Sequence, residues 1–221
     1  MKPSTTLATS RTPDGALVVL SEHDGQHYLK VGNVPLMNTR AASSEQQMAE
    51  IACGGGRATR VLIGGLGFGF TLRRVLELVP ADAAVEVAEL LPEIVAWNRD
   101  YLRAVNGRLL DDPRVTVFQR DVFDLITRCG PARYDAILLD VDNSPDPLVQ
   151  KGNARLYAAS GLEKIKGALN PKGRVVFWSA NRDKAFARAL GRVFARVESM
   201  GAKAYPQAKR FTHTLFVADR G

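Results

Sequence analysis

The sequence holds only two cysteines, Cys53 and Cys129, and they form no CxxC pair. That excludes a disulfide framework and a cysteine-based metal site, and both read as small core residues or inert thiols. Of three histidines, His23 and His27 flank Asp24-Gly25 in an alternating stretch and share a water-facing strand face, so no metal is expected. No apolar run approaches the ~18 residues of a membrane span, and no membrane association is expected. The N-terminus has no apolar stretch behind Lys2; it does not read as a secretion signal, and a cytoplasmic location is expected. Internal repeats and low-complexity tracts are absent too.

Acidic residues are scarce in the last third. Residues 151–221 hold 15 Lys and Arg against 4 Asp and Glu, within an overall net charge of +7. Lys184, Arg188, Arg192 and Arg196 recur at four-residue spacing and form a stripe on one helix, opposite Phe186, Leu190, Val193 and Val197. No aromatic residues interleave with the cations. The stripe therefore reads as a solvated outer face, and nucleic acid is not expected as a partner.

What remains is ordinary for a globular chain: 221 residues, 46% hydrophobic and 24% charged, enough to bury roughly 70% of the unfolded surface. The Thr- and Ser-rich first dozen residues read as a mobile arm. Two short strands follow, at 16–21 and 26–31, joined through Asp24-Gly25 as a hairpin. Ser43-Ser44 with Glu45 and Gln46 carries the signals of a helix start, and the helix ends at Gly54-Gly55-Gly56. These elements make one segment, 1–56.

The second segment, 57–221, alternates strand and helix. Strands are expected at 61–63, 84–88, 114–118, 136–139, 174–178 and 212–218. Helices are expected at 71–79, 92–105, 122–128, 156–169 and 183–197. This pattern predicts an α/β fold with right-handed crossovers and a mainly parallel sheet.

Ligands of open α/β sheets bind beyond the carboxyl ends of the strands, and four features fall there. Gly64-Gly65-Leu66-Gly67-Phe68-Gly69 follows the first parallel strand, where glycines permit a tight turn and close ligand approach. The spacing does not fit G-x-G-x-x-G, because the last position falls on Phe70 or Leu72, and no G-K-[ST] is present. A nucleoside without a pyrophosphate suits such a loop. Glu89 ends the second strand, 20 residues past Gly69, where a carboxylate can accept ribose hydroxyls; Glu86 lies mid-strand and faces elsewhere. Asp121-Val122 follows the third strand. Asp121 can accept an adenine amino group, cap the next helix, or do both. Asp140-Val141-Asp142-Asn143-Ser144-Pro145 follows the buried fourth strand, where two acids have little packing value.

At these residues the sequence resembles the spermidine synthase family of aminopropyltransferases. Gly64–Gly69 is similar to the family's glycine-rich loop. Val87-Ala88-Glu89 with Leu91-Pro92-Glu93 is similar to its V-E-I-D-P-E segment, Asp111–Val115 with Arg120-Asp121 to its D-D-P-R-V…G-D stretch, and Tyr134–Asp140 to its Y-D-V-I-I-V-D. The resemblance implies a class I methyltransferase fold with a seven-stranded sheet and a small N-terminal hairpin. It implies a nucleoside site at Gly64, Gly65, Gly67, Gly69, Glu89, Asp121, Val122 and Asp140, with Asp140 catalytic; Asp142, beside it at the same strand end, is expected to assist catalysis or hold a cationic acceptor. The donor substrate would be S-adenosylmethionine or its decarboxylated form, with no metal, and the partners a small-molecule amine acceptor and a second copy in a homodimer. The sequence departs from the family pattern at Leu91 for an acid, Asn143 for the second acid of D-S-S-D-P, Leu36 for a hairpin glutamine, and Met48-Ala49-Glu50 for Y-H-E. These positions belong mainly to the polyamine side of the pocket, so the nucleoside half is the better matched. Three functions follow: aminopropyl transfer to an amine, S-adenosylmethionine-dependent methyl transfer, or non-catalytic binding of a nucleoside or nucleic acid.

Overall fold

The computed structural model describes residues 3–141 and 151–221. At the N-terminus β1 (Thr5–Arg11), β2 (Leu17–His23), β3 (Gln26–Val31) and β4 (Val34–Asn38) form an antiparallel sheet in that order. Asp24 and Gly25 join β2 to β3 with φ of 51° and 74°, the paired positive values of a type I′ turn, which matches strand twist. The expected lone hairpin is thus the middle of a four-stranded sheet, and the expected mobile arm is β1. Both additions are edge strands. The Thr-rich β1 suits an extended chain with one face in water, and β4 tolerates Pro35 because an edge can forgo an N–H.

After α1 (Ser43–Cys53) come β5 (Arg60–Gly64), α2 (Phe70–Leu78), β6 (Ala84–Glu89), α3 (Pro92–Arg99), α4 (Arg103–Asn106), β7 (Val115–Gln119), α5 (Val122–Arg128) and β8 (Tyr134–Leu139). The chain continues through α6 (Ala154–Tyr157), α7 (Ala159–Ala168), β9 (Leu169–Ser179), α8 (Lys184–Val193), β10 (Arg196–Ala202) and β11 (His213–Asp219). These strands form a seven-stranded sheet in the order β10-β11-β9-β8-β5-β6-β7. The five from β9 to β7 are parallel, while β11 runs antiparallel to both of its neighbours, β9 and β10. The fold is the Rossmann-like class I methyltransferase arrangement.

Alternation along the central strands explains the layers. Val61, Ile63, Ala136 and Leu138 enter one core, shared with α2, α3 and Val18, Leu20, Leu29 and Val31 of the N-terminal sheet. Leu62, Ile137 and Leu139 point the other way, into a second core with α5, α7 and α8. Strands buried on both faces read as continuous apolar runs, and helices must cover each side.

Four expectations need correction. The helix expected over 92–105 stops at Arg99, because Leu102 turns into the core, and Asn98 and Asn106 bond to the carbonyls of Gly67 and Phe68. The helix expected over 156–169 breaks at Ala158, whose ψ of 152° is extended, and Leu169 already belongs to β9. The helix expected over 183–197 ends at Val193, so Arg196 lies on β10 and the basic stripe keeps only Lys184, Arg188 and Arg192. β10 itself was not expected; it is a mostly exposed edge strand and carries no alternating apolar signal.

Candidate active site

The chain winds outward from β5 through β6 to β7, then returns to β8 on the other side of β5. Their carboxyl ends open a crevice at this reversal. Gly65, with φ of +90°, turns the chain immediately after β5, and a Cβ there would lie 2.2 Å from the carbonyl oxygen of Asp140. The Gly65 amide donates to Ala88 at 2.9 Å and the Asp140 amide to Gly64 at 3.0 Å, tying the turn to β6 and β8. A Cβ on Gly67 would meet the Met37 methyl at 2.6 Å. The glycines were expected to admit a ligand. Their bare faces instead meet protein, and the turn is small because β8 and β4 approach it. Gly65 and Gly67 still line the cavity. Gly64 and Gly69 do not: the first faces Leu139 and Val122, the second Leu109, Asn106 and Asn98.

Among the described residues, four carboxylates line this one cavity: Glu45, Glu89, Asp121 and Asp140. Glu89 is buried at the end of β6 and accepts backbone N–H bonds from Leu66 and Leu91, each 2.9 Å. Burial pushes its carboxyl above the usual range, against those bonds. Glu86, mid-strand, faces away and bonds to Arg133 and to the Tyr134 hydroxyl at 2.6 Å. Asp121 opens α5, accepting from the Phe123 amide at 2.8 Å with one oxygen. Its other oxygen pairs with Arg155 at 2.6 Å, whose guanidinium lies 4.7 Å from the centre of the Phe123 ring. Val122 lines the cavity beside it, and Asp140 follows β8 directly. Asp142 lies outside the described residues.

Two features escaped sequence reasoning. Arg155 comes from α6, 34 residues beyond Asp121, and nothing local links them. Glu45 carries the signal of a helix cap, yet α1 has no side-chain cap. Instead Glu45 is buried and lines the cavity, with the Ser44 hydroxyl donating to it at 2.5 Å. Burial pushes its carboxyl up as well. Glu50, on which the resemblance set the glutamate of Y-H-E, bonds to Arg74 on the surface, 2.9 Å away.

The wall opposite the sheet edge comes from the N-terminal strands: Val18, Leu29, Val31, Leu36 and Met37. Trp178 closes the cavity with its ring 4.7 Å from that of His213. Its Nε1 meets no acceptor among the described residues. A smaller adjoining chamber is lined by Met37, Glu45, Gly65, Gly67, Phe68 and Asp140, without Glu89, Arg120 or Asp121. The cavity therefore has two ends. One offers Glu89, Asp121 and Arg120 to hydroxyl and amino groups. The other offers Glu45 and Asp140, with no cation among its described lining residues.

Residues 42–209 match the family described as spermine/spermidine synthase domain. A polyamine aminopropyltransferase of Synechococcus sp. (strain JA-2-3B'a(2-13)) is 30% identical over 158 residues, covering 68% of this chain and 49% of the relative. That of Hyperthermus butylicus is 33% identical over 147 residues, covering 66% and 49%. The chain thus spans about half the length of these relatives. The solved spermidine synthase of Thermotoga maritima superposes with a TM-score of 0.78 at 18% identity, over 98% of this chain and 73% of that one.

Proposed function

Because this chain belongs to the spermine/spermidine synthase family, we propose that it transfers an aminopropyl group from decarboxylated S-adenosylmethionine to an amine. The observation that carries this reading is the sign of charge at the end of the cavity beyond the glycine turn. Glu45 and Asp140 line that end, and its described residues include no cation. An ammonium tail suits two carboxylates, whereas the amino-acid tail of S-adenosylmethionine would bring a carboxylate among them, an arrangement costing several kcal/mol. At the other end Glu89 would accept the ribose hydroxyls and Asp121 the adenine amino group. Gly65, Gly67 and Val122 would complete the surface beneath the nucleoside.

The chemistry is a direct displacement. The acceptor nitrogen attacks the propyl carbon bonded to sulfur, that C–S bond breaks, and its electron pair returns to sulfur to leave a neutral thioether nucleoside. Asp140 takes the proton that the new secondary ammonium sheds. Holding the reactants in line can supply about 7–11 kcal/mol at most. Asp142 is assigned an assisting role on sequence alone. A homodimer accompanies the reading on fold analogy.

The test supplies each donor separately with a panel of amines and identifies products by mass spectrometry. Aminopropylated amine and methylthioadenosine are expected from the decarboxylated donor. Turnover of the carboxylated donor alone, giving a methylated amine, would overturn the reading. Asp140→Asn should lower kcat by roughly 10²–10⁴-fold while methylthioadenosine still binds.

A further inference from the structure

We infer that Arg155 is a positioning residue that makes the donor site choose a 6-aminopurine over a 6-oxopurine, by fixing the carboxylate of Asp121. The inference rests on the proposed placement of the adenine amino group at Asp121. Each oxygen of that carboxylate has a donor: the Phe123 amide at 2.8 Å and the Arg155 guanidinium at 2.6 Å. Held by the amide alone, the group would be free to turn about its Cβ–Cγ bond, a torsion with broad minima. A second donor on the other oxygen fixes its plane. Each oxygen keeps a further lone pair. The Asp121 side chain is only 9% exposed, so the cavity it lines is where that acceptor capacity meets a ligand.

Arg155 can do this because it is itself held. Its guanidinium lies 4.7 Å from the centre of the Phe123 ring and 3.7 Å from the Asp124 carboxylate. Beside it on α6, Leu156 is fully buried, and Tyr157 packs against Phe177 and Phe186 with ring centres 6.0 and 5.3 Å away. Asn153, at the head of the same helix, is buried and lines the cavity. The pair thus joins a core-anchored turn to the end of β7, unlike an ion pair between two long side chains in water. Adenine offers an N–H donor at its sixth position, whereas hypoxanthine puts a carbonyl oxygen there. A carboxylate that can turn aside relieves the meeting of two acceptors. One fixed in its plane does not, and it rejects the oxo base.

The experiment measures calorimetric Kd values of methylthioadenosine and methylthioinosine for the full chain, Arg155→Met, Asp121→Asn and the double variant. Met keeps an apolar side chain beside the Phe123 ring, and Asn caps a helix about as well as Asp. The full chain is expected to prefer methylthioadenosine by roughly 10- to 100-fold. Arg155→Met should cut that preference by about tenfold, and should cut it no further once Asp121 is replaced. If Asp121→Asn abolishes the preference while Arg155→Met leaves it, or weakens both nucleosides equally, the role of Arg155 is overturned and the adenine placement stands. A preference unmoved by Asp121→Asn would remove adenine from Asp121 and the role of Arg155 with it. A full chain that binds neither nucleoside would count against aminopropyl transfer itself. Should Arg155→Met fail to fold, Arg155→Lys, which keeps the charge and loses the planar fork, should cut the preference by about threefold; an unmoved ratio there would also overturn the role.

Discussion

The two walls of the cavity hold their side chains by different means. On the wall made by the carboxyl ends of β5 to β8, polar groups are fixed by the backbone around them. Glu89 is gripped by two amides, and Asp121 by an amide and Arg155. On the wall made by β2 to β4, aliphatic side chains are fixed by packing into the main core. The first wall can recognise a ligand by directed hydrogen bonds already in position, at little reorganisation cost. The second can discriminate only by shape and by what it declines to solvate. Glu45 is the exception, a carboxylate from α1 set beside the apolar wall.

The largest effect is expected where the polar wall is held together. Gly65→Ala puts a methyl 2.2 Å from the Asp140 carbonyl at a φ of +90°. It should cost about 2–4 kcal/mol of stability and abolish calorimetric binding of methylthioadenosine. Gly191→Ala, in α8 with nothing near its Cβ position, is the control and should stabilise by about 0.5–1 kcal/mol. Matching melting temperatures for the two variants would show that the turn is not built by close approach.

A smaller loss is expected at Glu89→Gln. The amide keeps one oxygen but turns an NH2 toward one of the two donating backbone amides. Affinity for methylthioadenosine should fall by roughly 10- to 100-fold, corresponding to about 1.5–3 kcal/mol for charged hydrogen bonds. Affinity unchanged by this substitution would remove Glu89 from the polar wall.

The smallest effect falls on the exception. Burial holds the folded pKa of Glu45 above its unfolded value, so the folded chain binds a proton more readily than the unfolded chain. The ionised group then costs stability at pH above its folded pKa, and the cost vanishes as pH falls below the unfolded value of about 4.3. Glu45→Gln should raise Tm at pH 7 by about 2–4 °C for each kcal/mol relieved, and the gap to the parent should close toward pH 4. A gap independent of pH would mean that the gain comes from something other than the buried charge.

The polar wall was largely legible in the sequence because each of its acids follows an apolar strand. Glu89, Asp121 and Asp140 mark the ends of β6, β7 and β8; β6 and β8 are largely buried and announce themselves without help from distant residues, and β7 was read from its short Val- and Phe-containing run. The Asp24-Gly25 hairpin was legible for the same local reason. Three of the four edge strands were not. β1, β4 and β10 are mostly exposed or half-buried and pair on one side only, so they carry no clear apolar alternation and their composition stays close to that of a loop. Glu45 was visible as an acid, but its chemistry read as a helix cap, since only burial separates the two roles.

By itself the sequence determined the α/β layering, the position of the crevice and the acids at its mouth, because alternation, turn chemistry and strand-end polarity act over a few residues. The tertiary structure alone decided that Arg155 would secure Asp121, that the glycine turn would be pressed between β4 and β8, and that Glu45 would stand beside an aliphatic wall. Those outcomes depend on desolvation and contact between segments tens of residues apart, quantities that no local pattern carries.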